Sequence, residues 1–448
     1  MSTAPGPVGK GPTRAGPARA GPATPGPVSA APGPVGDPRT LVVVGASLAG
    51  LRAVESARRG GFGGRIVLIG AEPHLPYDRP PLSKAFLDGT GDMPPFRTER
   101  TLRQELRVDL RLGTTAVGLD TATRTVRTTA GDVGYDALVI ATGATARRLP
   151  GTGRLRGVHS LRTLDDAHAV RTALDAGART VVIGAGFIGS EVASAAHKRG
   201  LRVTIVEALP VPLVRAVGEA MGEACAALHR RHGTDLRCGS GVAALEGDGA
   251  VESVRLTDGT ELPADLVVVG IGAAPATGWL EGSGLTLDDG IVCDETLFTG
   301  VPGVYAAGDA ARWYNPLLHR PMRLEHWTSA AEQGAVAARN ALHPGSPEPY
   351  GCVPYFWSDW YDTRIQFVGA VAADEVRVTG GDPADGRFVA LYRDGDRLAG
   401  ALTMNGQTEI MKYRRLILGG ASWDEALAFA AGRRFGARTT GKVPVRAT

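Results

Sequence analysis

Val44-Gly45-Ala46-Ser47-Leu48-Ala49-Gly50 and Ile183-Gly184-Ala185-Gly186-Phe187-Ile188-Gly189 are two glycine-rich turns in one 448-residue chain, and each directly follows a short apolar run. In such a turn the first Gly permits a tight bend and the last lets the following helix pack on the strand. The helix N-terminus then offers unpaired N–H groups to a pyrophosphate. Each turn lies in a βαβ frame: a strand at 40–44, a helix from Leu48 and a strand at 65–69; then a strand at 180–183, a helix from Phe187 and a strand at 202–206. That context raises the motif above two Gly-rich helix starts. One turn implies one nucleotide, so two imply electrons handed from one to another.

The length suits roughly three domains at about 150 residues each. Lys and Arg number 49 against 46 Asp and Glu, a net charge of +3, which argues against bulk affinity for nucleic acid or an anionic membrane. No apolar run reaches the roughly 20 residues of a bilayer span, and the N-terminus lacks a secretory apolar core, so a cytoplasmic protein is expected. Cys225, Cys238, Cys293 and Cys352 are scattered without a CxxC pair, which suggests isolated reduced thiols and no metal site.

Residues 1–38 are rich in Pro, Gly and Ala without an aromatic residue, and read as a disordered tail. Folded sequence begins near Arg39. The first nucleotide domain, 39–152, is interrupted by a second, 153–283, and completed by 284–351, where 303–309 supplies one more strand ending in Gly308-Asp309. From Cys352 the pattern changes to short strands at 364–368, 387–393 and 397–403, then a helix at 409–418, an α+β domain over 352–448. The fold class is therefore α/β: two Rossmann-like dinucleotide-binding domains, a C-terminal α+β domain and a tail.

Details around the turns separate the two sites. In the second, Glu207 ends the second strand, where a carboxylate accepts adenosine ribose hydroxyls, and no basic neighbour awaits a 2′-phosphate; NADH is favoured over NADPH. In the first, Ser47 replaces the middle Gly and Gly70 occupies the position matching Glu207, so the nearest carboxylate is Glu72, either a ribose ligand or a solvated loop residue. Leu75-Pro-Tyr-Asp-Arg-Pro-Pro-Leu-Ser-Lys84 follows, its prolines fixing the approach of Arg79 and Lys84. Alone, Lys84 reads as a surface lysine, Glu191 as a first-turn acid suited to the helix dipole, and Trp327 and Trp357 as core aromatics.

The turn at 45–50, the 75–84 segment, Ala141-Thr142-Gly143, 161–166, 184–191, Gly308-Asp309, Glu325-His326-Trp327-Thr328 and Tyr355-Phe356-Trp357-Ser358-Asp359 together resemble the FAD-dependent ferredoxin reductases of the putidaredoxin-reductase and aromatic-dioxygenase-reductase type, which share the glutathione-reductase-like architecture. The resemblance runs from about Thr40 to the C-terminal domain. It implies that Gly45, Ser47, Leu48, Ala49 and Gly50 hold the FAD pyrophosphate. Glu72, Arg79, Ala116, Ala141, Thr142, Gly143 and Arg162 add FAD contacts; Asp309 binds the ribityl chain, Trp327 contacts the flavin ring, and Lys84 lies beside it. Gly184, Gly186, Ile188, Gly189 and Glu207 hold NAD, with Gly270, Ile271 and Gly272 as the strand end against which it rests. Glu191 lies near the nicotinamide, and Lys84 and Glu191 form the catalytic pair. Ala71 stands where the family often has Asp.

By this resemblance 39–152 with 284–351 bind FAD, 153–283 bind NADH, and electrons pass to an iron–sulfur ferredoxin of the [2Fe–2S] or a similar type. That ferredoxin feeds a cytochrome P450 or a ring-hydroxylating oxygenase. Nicotinamide gives two electrons at once and a ferredoxin accepts one, so a flavin must stand between them. The pyridine nucleotide–disulfide reductases share the architecture but need a reactive cysteine after the first βαβ unit, where this chain has Ser83 and no Cys. An NADH-sensing flavoprotein of the apoptosis-inducing-factor type remains the alternative. Arg97, Arg100, Arg103, Arg107 and Arg111 recur at near-helical spacing, and Lys412, Arg414 and Arg415 cluster in the third domain; either set could dock an acidic ferredoxin or simply face solvent.

Overall fold

The computed structural model describes residues 39–89, 91–150, 155–433 and 441–443; the tail expected over 1–38 lies outside them. Strand Thr40–Val44 reads Thr-Leu-Val-Val-Val, β-branched and buried from Leu41 onward, as suits the centre of a parallel sheet covered on both faces. Arg65–Ile69 pairs on one side of it and Ala137–Ile140 on the other, both parallel. The chain thus leaves the central strand in opposite directions, which opens a crevice at the carboxyl ends of the strands. Val108–Arg111 and Val304–Ala306 complete the edges, so the last strand comes from sequence far beyond the rest.

Between those contributions runs a second all-parallel sheet, ordered Asp235–Cys238, Val203–Glu207, Thr180–Ile183, Leu266–Val269 and Val158–His159. Its second strand runs one residue beyond the expected 202–206 and includes Glu207. A short antiparallel pair, Ala144–Ala146 with Ala273–Pro275, bridges the exit from the first sheet and the return to it.

Both glycine turns obey the same steric rule. Gly45 and Gly184 have φ of +116° and +101°, and a Cβ there would lie 2.0 Å from the Ala141 carbonyl oxygen and 2.4 Å from that of Gly270. Helices Leu48–Arg59 and Phe187–Lys198 follow, and neither is capped by a side chain at its N-terminus. Their first-turn N–H groups are left for a ligand.

The C-terminal region forms an antiparallel sheet ordered Tyr355–Trp360, Thr363–Gly369, Arg397–Met404, Arg387–Asp394, Glu375–Asp382 and Gly441–Val443. Helices Gln407–Leu418 and Trp423–Ala431 cover one face through Ile410, Tyr413 and Trp423. The other face packs Trp360, Phe367 and Phe388 on Val217, Met221 and Leu228 of helix Val214–Arg231, fastening this sheet to the second nucleotide unit. The arginines spaced helically from Arg97 do not form a helical stripe. A short helical stretch at 99–105 carries Arg100 and Arg103, but Arg107 takes a φ of +48°, and Arg111 lies in a strand paired with Asp109.

Candidate active site

A cavity of about 770 Å³ opens at the carboxyl end of the first sheet and reaches both the second nucleotide unit and the C-terminal sheet. Its walls hold Gly45, Ser47, Leu48, Ala49, Glu72, Arg79, Lys84, Ala116, Ala141, Thr142, Gly143, Arg162, Asp309 and Trp327, with Ile188 and Glu191 from the second unit. The remaining predicted residues lie elsewhere. Gly50 is buried behind the turn, where a Cβ would lie 1.8 Å from the Gly45 carbonyl oxygen; Gly189 repeats this at 2.1 Å from that of Gly184. Gly184, Gly186, Glu207, Gly270, Ile271 and Gly272 gather at the strand ends of the second sheet, outside the cavity.

Beside the first glycine turn, the Arg79 guanidinium donates to Ser47 Oγ at 3.2 Å and to the Arg162 carbonyl at 2.6 Å, and pairs with Glu72 Oε1 at 2.5 Å. Tyr77 donates its hydroxyl to the other Glu72 oxygen at 2.6 Å, and burial pushes the Tyr77 phenol well above its ordinary range. A Cβ at Gly70 would lie 2.6 Å from that of Ala46 in the turn, so no side chain fits at the position matching Glu207, and Glu72 is the nearest carboxylate after it. Arg162 also pairs with Asp309 at 2.8 Å, drawing the closing strand end to the exit of the 141–143 turn. Helix Trp327–Leu342 packs closely on helix Leu48–Arg59: Gly334 faces the Ala49 carbonyl so tightly that a Cβ would lie 2.1 Å from it. Gln333 meanwhile accepts from Gly308 N–H at 2.8 Å.

At the far end, Lys84 Nζ lies 2.8 Å from Glu191 Oε1, the lysine one-fifth exposed and the glutamate 2 % exposed. A carboxylate buried to that degree needs every lone pair answered. Ser83 and Ser358 both donate hydroxyls to it, one to each oxygen, and the Asp359 N–H approaches at 3.4 Å. Three parts of the chain thus converge on one side chain: the 75–84 segment, helix Phe187–Lys198 and the first C-terminal strand. Phe187 packs at a tilt against Phe356 with centroids 4.8 Å apart, and Phe356, Tyr355 and Trp357 line the same cavity.

Sequence reasoning missed several of these groups. Ser358 was legible only as part of a motif. Its alternation with Phe356 and Trp360 marks a face, but its partner lies 167 residues away. Ser83 stands out in the sequence only as the residue in place of a cysteine. His326 has no sequence signal beyond its place in the 325–328 motif, yet it lines the cavity, burial pushes its pKa down to about 4, and its Nδ1 has no partner. None of the four cysteines lines the cavity, and all are unpaired. Among the described residues no cluster of potential metal ligands occurs, and no helix is long and apolar enough to cross a membrane.

In the second site Glu207 accepts the Ala185 N–H at 2.8 Å and the Leu209 N–H at 2.9 Å. The strand-end carboxylate is thereby fixed against the glycine turn itself.

Residues 39–334 match the pyridine nucleotide-disulphide oxidoreductase model, and residues 355–433 the reductase C-terminal model. The chain belongs to the ferredoxin reductases of that family. It is 37 % identical to the ferredoxin–NAD(P)+ reductase of Sphingomonas sp over 84 % of this chain and 92 % of that one. It is 38 % identical to the reductase component of the anthranilate 1,2-dioxygenase system of Burkholderia cepacia over 86 % and 95 %. Putidaredoxin reductase, solved as a covalent complex with putidaredoxin, superposes with a TM-score of 0.81 at 34 % identity, covering 85 % of this chain and 93 % of that one. Membership makes the chain an oxidoreductase of the FAD- and NAD(P)H-dependent kind.

Proposed function

We propose that the chain is an NADH-dependent ferredoxin reductase that carries FAD in the 770 Å³ cavity and delivers electrons singly to a [2Fe–2S] or similar ferredoxin serving a cytochrome P450 or an oxygenase. The observation that carries this reading is the Lys84–Glu191 pair, a charged contact between the two nucleotide units in the wall of that cavity. In this division 39–152 with 284–351 hold FAD, 153–283 hold NADH, and 352–448 complete the site through Ser358. The four unpaired thiols suit a reducing compartment, and we assign the protein to the cytoplasm.

The cavity suits the flavin nucleotide on two counts. The uncapped start of helix Leu48–Arg59 leaves N–H groups for a pyrophosphate, and the close approach at Gly45 keeps side chains out of its path. A bound flavin supplies the conversion of a two-electron hydride into single electrons. Gly45, Ser47 and Ala49 would hold its pyrophosphate, Arg162 and Asp309 the chain beyond, and Trp327 a wall of the ring site. Arg79 keeps Ser47, Glu72 and the Arg162 carbonyl in one arrangement, so the adenosine end is preformed. Lys84 brings a positive charge to where negative charge grows on reduction, and Glu191 fixes the ammonium in place. Ser83 and Ser358 lock the carboxylate, so the pair needs no reorganisation as charge develops. Glu207, anchored by two backbone donors, offers its remaining lone pairs to ribose hydroxyls and repels a 2′-phosphate.

For the ferredoxin we propose the face of helix Gln407–Leu418. Lys412 is paired with Glu409 and Arg414 donates to the Val353 carbonyl, whereas Arg415 is exposed between exposed Met411 and Leu418. Purified protein given FAD, NADH or NADPH, and a panel of ferredoxins should reduce cytochrome c only when ferredoxin is added, and faster with NADH. Equal rates without ferredoxin would argue against the proposal.

A further inference from the structure

Asp78 and Trp327 meet across the cavity wall. Trp327 donates its indole N–H to Asp78 Oδ1 at 2.8 Å, and both residues line the cavity. They arrive from opposite sides. Asp78 precedes the Pro80–Ser83 turn that sets Lys84, while Trp327 is the first residue of helix Trp327–Leu342. The helix fixes the tryptophan backbone, but two side-chain torsions stay open, and an indole at a cavity wall could turn its ring into the space or away from it. A hydrogen bond from its only polar atom selects one orientation. The acceptor is held at a cost: Asp78 is half-buried, and burial raises its carboxyl above the ordinary aspartate range against the Trp327 hydrogen bond and the charges of Lys84 and Arg52.

We propose that Asp78 is a positioning residue that pins the Trp327 indole as a fixed wall of the flavin seat, tying the ring's setting to the same segment that sets Lys84. This rests on the flavin reading of the cavity. The role is distinct from binding, because the Asp78 oxygen that holds the indole is committed to a protein donor. The loop and the helix thereby form one unit, and a shift in either moves both the cation and the aromatic wall.

The test uses the full chain with bound flavin, labelled with ¹⁵N-tryptophan. The six tryptophans give six indole N–H signals, and Trp327→Phe removes the one to follow. In Asp78→Ala that hydrogen should exchange with solvent about tenfold faster while the other five stay unchanged, as expected for loss of one bond to a charged acceptor. Asp78→Asn, which keeps an amide oxygen as acceptor, should give a smaller change and serves if the alanine variant does not fold. Fluorescence of the bound flavin should rise both in Asp78→Ala and in Trp327→Phe, and the double variant should match Trp327→Phe alone. An unchanged exchange rate in flavin-loaded Asp78→Ala, or fluorescence effects that simply add, would overturn the positioning role. Protein that takes up no flavin at all would overturn the reading of the cavity, and the role with it.

Discussion

Lys84 and Glu191 touch at 2.8 Å although one follows the first nucleotide turn and the other the second. The pair is mostly out of water, so its value differs from that of the many exposed pairs on this surface, which contribute little each. Removing one partner of a buried pair costs about 3–5 kcal/mol, and the partial exposure of Lys84 sets the expectation at the lower end. Lys84→Ala should therefore lose about 3 kcal/mol in denaturant unfolding. Flavin reduction by NADH should slow about tenfold or more in stopped-flow measurements. Lys84→Ala with Glu191→Gln should be more stable than Lys84→Ala alone, because the neutral amide no longer needs a cation. An unchanged reduction rate in Lys84→Ala counts against the catalytic pair.

Ser358 reaches Glu191 from the C-terminal sheet, so the third unit contacts the proposed catalytic pair directly. Ser358→Ala should cost about 1–3 kcal/mol, the value of a hydrogen bond to a charged group whose buried lone pair is left unanswered. It should also slow flavin reduction several-fold while leaving the NADH dissociation constant nearly unchanged. Parallel losses in binding and rate would instead mean that the sheet has shifted as a whole.

In the proposed function Glu207 sets the choice between the nicotinamide nucleotides. Its carboxylate is already anchored to Ala185 and Leu209, so Glu207→Gln should keep the fold of the turn and weaken NADH binding modestly. Glu207→Arg should reduce kcat/KM for NADH by roughly tenfold or more and raise that for NADPH. Steady-state kinetics with both nucleotides checks this, and an unaltered preference would remove Glu207 from the site.

His229 joins the second unit to the C-terminal sheet: its Nδ1 lies 2.7 Å from the Tyr361 hydroxyl and its Nε2 3.1 Å from Ser190 Oγ, next to Glu191. Burial, with a smaller contribution from nearby His232, pushes its pKa down to about 3. A histidine whose folded pKa is depressed is bound to fewer protons in the folded state, so its stability contribution is complete above the unfolded value near 6.5. It is lost as pH falls toward 3. Unfolding free energy should decline from pH 7 to pH 4.5, and less steeply in His229→Gln. Identical slopes would assign the acid sensitivity elsewhere, His326 included.

Arg415 gives the docking proposal a clean variant, since it is exposed and far from the nucleotide turns in sequence. Arg415→Glu should raise the KM for an acidic ferredoxin several-fold and flatten the salt dependence of turnover, with flavin reduction by NADH unchanged.

Much of the frame was legible in the sequence because its signals are local. Two glycine turns between apolar strands fixed the parallel sheets, and the late strand before Gly308-Asp309 marked the first sheet as discontinuous. The site was legible where a motif carried it, as with Lys84 and Asp309. Ser358, Asp78 and the His229–Tyr361 contact were not, since each acts through a partner brought near only by tertiary folding. For the arginines after Arg97 the spacing could not show where helix gives way to strand, because periodicity alone does not mark that boundary.

The most direct test of electron flow is anaerobic and single-turnover. Flavin-loaded protein is mixed with one equivalent of NADH, then with excess oxidised [2Fe–2S] ferredoxin, following both chromophores by stopped flow. The account predicts rapid flavin bleaching, then its recovery with two ferredoxins reduced per NADH, because each accepts one electron. A flavin that stays reduced in a long-lived complex with the nicotinamide, while ferredoxin remains oxidised, would contradict it and favour a redox sensor.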